Sequence, residues 1–154
     1  MRPTVPSEIR RWLAALPGAV EPTPLLDLPA LAARCGVASV HVKAEGARPL
    51  GNFKALGGVY AALRALARAT EAQDLSQLLD GRARRAPTLI CASDGNHGLA
   101  VAEGARLAGA AARIFLPADL PPVRSDRIRA RGAAVALVQG DYDDAVEAAL
   151  QAAA

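Results

Sequence analysis

This chain of 154 residues has very few aromatic side chains, only 3% of the total. Nucleic-acid modules depend on basic stripes and stacking rings. Here the net charge is only +3, and the arginines are scattered apart from Arg82-Ala83-Arg84-Arg85. A nucleic-acid partner is therefore not expected, and that short cluster reads as a solvated loop. Cysteine is just as scarce. Cys35 and Cys91 are far apart and match no metal or redox spacing, so neither a metal site nor a disulfide is implied. Cys91 sits in an apolar run and reads as a small core residue. No apolar run approaches membrane-spanning length, and Met1 to Pro6 lacks the apolar stretch of a signal peptide. The expectation is a cytoplasmic protein without a membrane partner. A G-x-G-x-x-G run is also missing, which counts against a nucleotide-binding Rossmann module. Lysine occurs only twice, as Lys43 and Lys54.

What is abundant is small and aliphatic. Apolar residues make up 52% of the chain, so it can bury a core of alanine, leucine and valine. The spacing predicts a helix over 7–16 stopped by Pro17-Gly18, an extended Pro-rich segment at Glu21 to Leu25, and a helix over 27–34 capped by Gly36. A strand over 38–44 follows, with Val40 and Val42 on one side and Lys43 on the other. Next come a strong helix over 54–69, a weaker one over 71–79 and a polar loop over 81–86. Strands at 88–92, 112–116 and 134–138 then alternate with helices at 96–108, 121–131 and 141–154. From residue 38 the order β-α-(α)-β-α-β-α-β-α predicts an α/β fold, a parallel sheet with helices on both faces. The expected division is a helical and extended lead-in, 1–37, and an α/β domain, 38–154. The last helix runs to Gln151-Ala152-Ala153-Ala154 without a C-cap, which reads as a truncation.

Two turns carry the chemistry. Gly51-Asn52-Phe53-Lys54 leads into the strong helix, and Ser93-Asp94-Gly95-Asn96-His97-Gly98 joins a strand to a helix. Cations are disfavoured at helix N-termini, so a lysine in that first turn wants a reason. The helix dipole and partial burial can hold its amine neutral, and a neutral amine can form a Schiff base with a carbonyl. The plain alternative is a surface lysine. The second turn can hold an anion on the N–H groups of its helix start. Its plain alternative is an ordinary turn in which Asp94 caps and Gly95 supplies backbone freedom. Together the two turns suggest one site at one edge of a parallel sheet.

The run Glu45-Gly46-Ala47-Arg48-Pro49-Leu50-Gly51-Asn52-Phe53-Lys54 resembles the lysine motif of the pyridoxal-phosphate enzymes of the tryptophan synthase β-like class (fold type II). The run Ser93-Asp94-Gly95-Asn96-His97-Gly98 is similar to their Ser/Thr-X-Gly-Asn-His loop. Asp94, the Lys-Ala-Leu-Gly-Gly sequence at Lys54, and Asp141-Tyr142-Asp143-Asp144-Ala145-Val146 bring it nearest the diaminopropionate ammonia-lyases. The resemblance implies pyridoxal 5′-phosphate as cofactor, and a small amino-acid substrate undergoing α,β-elimination, with 2,3-diaminopropionate giving ammonia and pyruvate. It implies Lys54 as the Schiff-base lysine and proton shuttle, and Asp94 as a second acid/base group or a holder of the β-amino group. Asn96 would bind the ring oxygen, and Phe53 would pack near the cofactor. Ser93, Asp94, Gly95, Asn96 and His97 would line the substrate site, with His97 structural. It implies a homodimer for the full-length family. The spelling Pro49-Leu50-Gly51-Asn52-Phe53 is nearer that of threonine dehydratases, so the alternative enzyme is a serine/threonine dehydratase-like deaminase. The family's glycine-rich phosphate loop has no counterpart here. A non-catalytic fragment lacking the phosphate-binding half is the remaining alternative.

Overall fold

In the computed structural model, residues 7–16, 21–79 and 85–154 are described. The tail 1–6, the Pro17-Gly18 stop and most of the 81–86 loop, with Arg82 to Arg84, lie outside the described residues. Helix α1 (Ser7–Ala14) buries Trp12, whose ring meets Tyr60 edge-on at 6.2 Å. Strand β1 (Leu25–Asp27) and strand β2 (His41–Lys43) pair antiparallel, with Leu25 opposite Lys43 and Asp27 opposite His41. Between them lies α2 (Pro29–Cys35), closed by Gly36 at φ +65°.

This pairing corrects one expectation. The strand near residue 40 is not the first strand of the parallel sheet; it belongs to a separate two-stranded sheet. A buried parallel strand needs a near-continuous apolar run. His41-Val42-Lys43 is not one, and all three residues are exposed. Its partner occupies residues expected to be helix or linker, so α2 starts at Pro29 and not at Asp27.

Helix α3 (Lys54–Thr70) follows two short 3-10 turns, Glu45–Ala47 and Pro49–Gly51, and leads to α4 (Leu75–Leu79). The rest alternates as expected: β3 (Leu89–Ala92), α5 (Asn96–Ala108), β4 (Ala112–Pro117), α6 (Pro122–Arg129), β5 (Ala134–Val138) and α7 (Tyr142–Ala153). The three strands form a parallel sheet in the order β3-β4-β5. The pleat of central β4 sends Ile114 and Leu116 to one face, against α5 and Ile128 of α6, and Phe115 to the other, against Ala145 and Ala149 of α7. Helices thus cover both faces. Among the described residues no helix is long and apolar enough to cross a membrane.

What positions the site is the contact of α3 with α5. A Cβ on Gly104 of α5 would lie 2.6 Å from the Ala62 Cβ of α3, and one on Gly58 of α3 would lie 2.6 Å from the Ala100 Cβ of α5. Only glycine permits this approach. It brings the start of α3, with Lys54, to the C-terminal end of β3, where the Ser93 turn begins. Of the two glycines early in α3, Gly58 faces the neighbouring helix, while Gly57 has open space.

Candidate active site

The Lys54 turn is built by backbone constraint. Leu50 and Gly51 both hold positive φ, +71° and +70°. A branched residue such as Leu50 pays for that conformation and keeps it only where neighbours hold it. Here the Leu50 carbonyl accepts from Asn52 Nδ2 at 2.9 Å and from Arg127 Nη2 at 2.6 Å. Asn52 is buried, and its Oδ1 accepts the Lys54 backbone N–H at 2.9 Å. Asn52 therefore serves as the cap of α3. Farther back, Glu45 gathers Arg48, the Thr23 hydroxyl at 2.8 Å and Lys43 Nζ at 3.2 Å. The hydrogen bonds from Arg48 and then Thr23 hold its carboxyl down at about 2. This network ties the Pro-rich segment to the turn and occupies Lys43, which does not line the cleft that Lys54 lines.

The second turn is capped in an unexpected way. Gly95, at φ +135°, is the N-cap of α5 and has no side chain to cap with. Ser93, two residues earlier and only 3% exposed, does this work: its Oγ accepts the N–H of Gly95 at 2.9 Å and of Gly98 at 2.8 Å. Asp94 is thereby spared from capping. The N–H groups of Asn96 and His97, first in the helix, have no intrahelical acceptor by geometry.

Both turns open onto one cleft of about 650 Å³, within the ordinary range for small-molecule sites. Lys54 and Ser93 through His97 line it. Val123, Arg124 and Arg127 of α6 also line it, with Tyr142 at the start of α7. Phe53 is not among the lining residues; it is 57% exposed, with its ring centroid 5.3 Å from Lys54 Nζ. His97 is half-buried, and burial first and the Lys54 charge second lower its pKa. Burial pushes the Cys91 thiol up to about 11, which leaves it protonated and unreactive. The α6 and α7 residues were missed from sequence. Arg124 and Arg127 stand one helical turn apart, a legible spacing, but nothing in the primary structure says that α6 lines the same cleft as the lysine.

A scan of protein families matches residues 16–154 to the pyridoxal-phosphate dependent enzymes. The chain belongs to that family. Among curated relatives, a diaminopropionate ammonia-lyase of Salmonella typhimurium is 36% identical over 137 residues, covering 82% of this chain and 33% of the relative. An L-threonine dehydratase of Pasteurella multocida is 32% identical over 131 residues, covering 85% of this chain and 22% of the relative. Among solved structures, the Escherichia coli diaminopropionate ammonia-lyase in complex with D-serine aligns with a TM-score of 0.79 at 33% identity, over 94% of this chain and 38% of that one. The likeness establishes the fold-type-II architecture. The chain spans about a third of the length of the curated ammonia-lyases it matches.

Pyridoxal phosphate fits part of this cleft. A lysine amine opens into a space large enough for a pyridine ring, beside the exposed Asn96 side chain and an open helix N-terminus. Those groups suit the aldehyde and ring-oxygen end of the family's cofactor. For its phosphate the sequence offers no glycine-rich cradle.

Proposed function

We infer that this chain is the lysine-bearing part of a pyridoxal-phosphate dependent ammonia-lyase, one that performs α,β-elimination on a small amino acid of the 2,3-diaminopropionate type. The observation that carries the reading is the meeting of Lys54 with the Ser93 to His97 turn in one cleft. Pyridoxal phosphate, when bound, supplies the electron sink for a carbanion at the substrate Cα. Lys54 would hold the cofactor through its aldehyde carbon, and its free amine would move the substrate Cα proton. The Asn96 and His97 N–H groups hold the substrate carboxylate. Asp94, exposed and unused in capping, takes or gives the second proton or holds a cationic β-amino group. The Asn96 side chain, which lines the cleft, would bind the cofactor's ring oxygen. His97 stands beside Lys54 in the lining of the cleft. The reading places the protein in the cytoplasm, and as a homodimer when full-length.

The threonine dehydratase spelling before Lys54 keeps a serine/threonine deaminase as the second reading. The test is to add pyridoxal phosphate, reduce with borohydride and map the adduct by mass spectrometry, then assay pyruvate from 2,3-diaminopropionate, serine and threonine. The expected result is an adduct on Lys54 and not Lys43, with pyruvate from the diamine. Turnover of serine or threonine alone would select the deaminase. Equal labelling of both lysines would mean that the motif survives without a working site.

A further inference from the structure

Two side chains of the cleft wall take no part in the chemistry above. Arg124 and Arg127 project from one face of α6, a turn apart. Arg124 Nη1 donates to the Asp94 carbonyl at 2.6 Å. Its stem lies across Gly95, where an added Cβ would come within 3.1 Å of Arg124 Cδ. Arg127 Nη2 donates to the Leu50 carbonyl at 2.6 Å and is the nearest atom, at 3.7 Å, to the place of a Gly51 Cβ. Each arginine therefore seats on the positive-φ glycine of one turn and holds the carbonyl just before that glycine. The Lys54 turn is held from within by Asn52, and the Asp94 turn by Ser93. Helix α6 bonds to both.

We propose that Arg124 and Arg127 are positioning residues, a two-pronged clamp by which α6 sets the distance between the Lys54 turn and the Asp94 turn. Charge-assisted bonds to carbonyls are stronger than neutral ones, and the planar guanidinium loses little freedom in making them. Both prongs start from one rigid helix, so neither turn can shift without straining a bond to α6. Reacting groups misplaced by an ångström lose much of their rate. The catalytic consequence rests on the reading of Lys54 as the cofactor lysine; the geometry of the clamp does not.

The experiment compares the chain with Arg124→Ala and Arg127→Ala by amide hydrogen exchange without cofactor, and by borohydride trapping of pyridoxal phosphate on Lys54 relative to Lys43. Arg124→Ala is expected to speed exchange at Gly95 and Gly98 by about tenfold, about 1.4 kcal/mol of local opening, with the Lys54 amide unchanged. Arg127→Ala is expected to speed exchange at Lys54, spare Gly95 and Gly98, and move the trapping ratio toward parity. If an alanine variant does not fold, Arg→Lys at that position carries the same turn-selective expectation in weaker form. Exchange that rises uniformly over the chain, or stays unchanged in both turns, overturns the clamp. If the parent chain does not trap on Lys54, the enzymatic reading fails while the exchange result still decides the clamp.

Discussion

Replacing Ser93 by alanine removes one oxygen, and the structure sets the cost. The Ser93 hydroxyl is buried and accepts two backbone N–H groups, Gly95 at 2.9 Å and Gly98 at 2.8 Å, both glycines buried as well. Each orphaned donor costs about 1–3 kcal/mol when no solvent reaches it. One of the two is also the helix cap, whose loss alone costs about 0.5–2 kcal/mol. With one donor orphaned and the other counted as the lost cap, the sum expected for Ser93→Ala is about 1.5–5 kcal/mol, a large share of the roughly 5–15 kcal/mol that folds a domain. In urea, a loss of about 3 kcal/mol moves the midpoint down by about 1–3 M at unchanged slope. The assay is equilibrium urea unfolding followed by circular dichroism, with Thr70→Ala as the comparison. Thr70 Oγ1 makes a single hydrogen bond to the Leu66 carbonyl, at 2.8 Å, near the end of α3. A Ser93→Ala loss below about 0.5 kcal/mol, or one no larger than that of Thr70→Ala, would refute the claim that Ser93 caps α5 in place of Gly95.

The adjacent glycines of α3 should respond oppositely in the same assay. Gly57→Ala, exposed and in open space, gains about 0.5–1 kcal/mol from helix propensity, whereas Gly58→Ala loses about 1–3 kcal/mol because its Cβ would meet Ala100 at 2.6 Å. His97 titrates below the ordinary 6.5 through burial and Lys54. Lys54→Gln should raise its pKa by removing the second cause, read by proton NMR against His41, the other histidine. Because the folded value is the lower one, the stability linked to His97 is present above 6.5 and is lost as pH falls through the folded value. Glu45 behaves likewise at lower pH. Its contribution is present above 4.5 and is lost as pH falls toward about 2, so Glu45→Gln should flatten the acid limb of the stability profile, most visibly at low salt.

Much of the fold was legible. The helix over 96–108 and the strand over 134–138 occur at the expected residues. The acidic start of the last helix is a capping box, with Asp141 accepting from Asp143 and Asp144 while Asp144 accepts from Asp141. These features depend on neighbours within a few residues, which is where periodicity and capping operate. The strand near residue 40 was legible as extended chain, but its partner was not. A three-residue strand can pair with any edge its flanking turns allow, and Leu25–Asp27 carries no alternation long enough to announce itself.

The sequence by itself determined the βα alternation, the helical entry of Lys54 and the glycine-centred turn after β3, because each follows from short-range sterics, capping and apolar period. It also carried the family resemblance, since that lies in residue identity at two short motifs. Only the tertiary structure decided that Arg124 and Arg127 reach from α6 to carbonyls of both turns. The reason is distance along the chain. The Leu50 carbonyl and Arg127 are 77 residues apart and meet through the packing of α3 on α5 and of α5 on α6, which no local preference encodes.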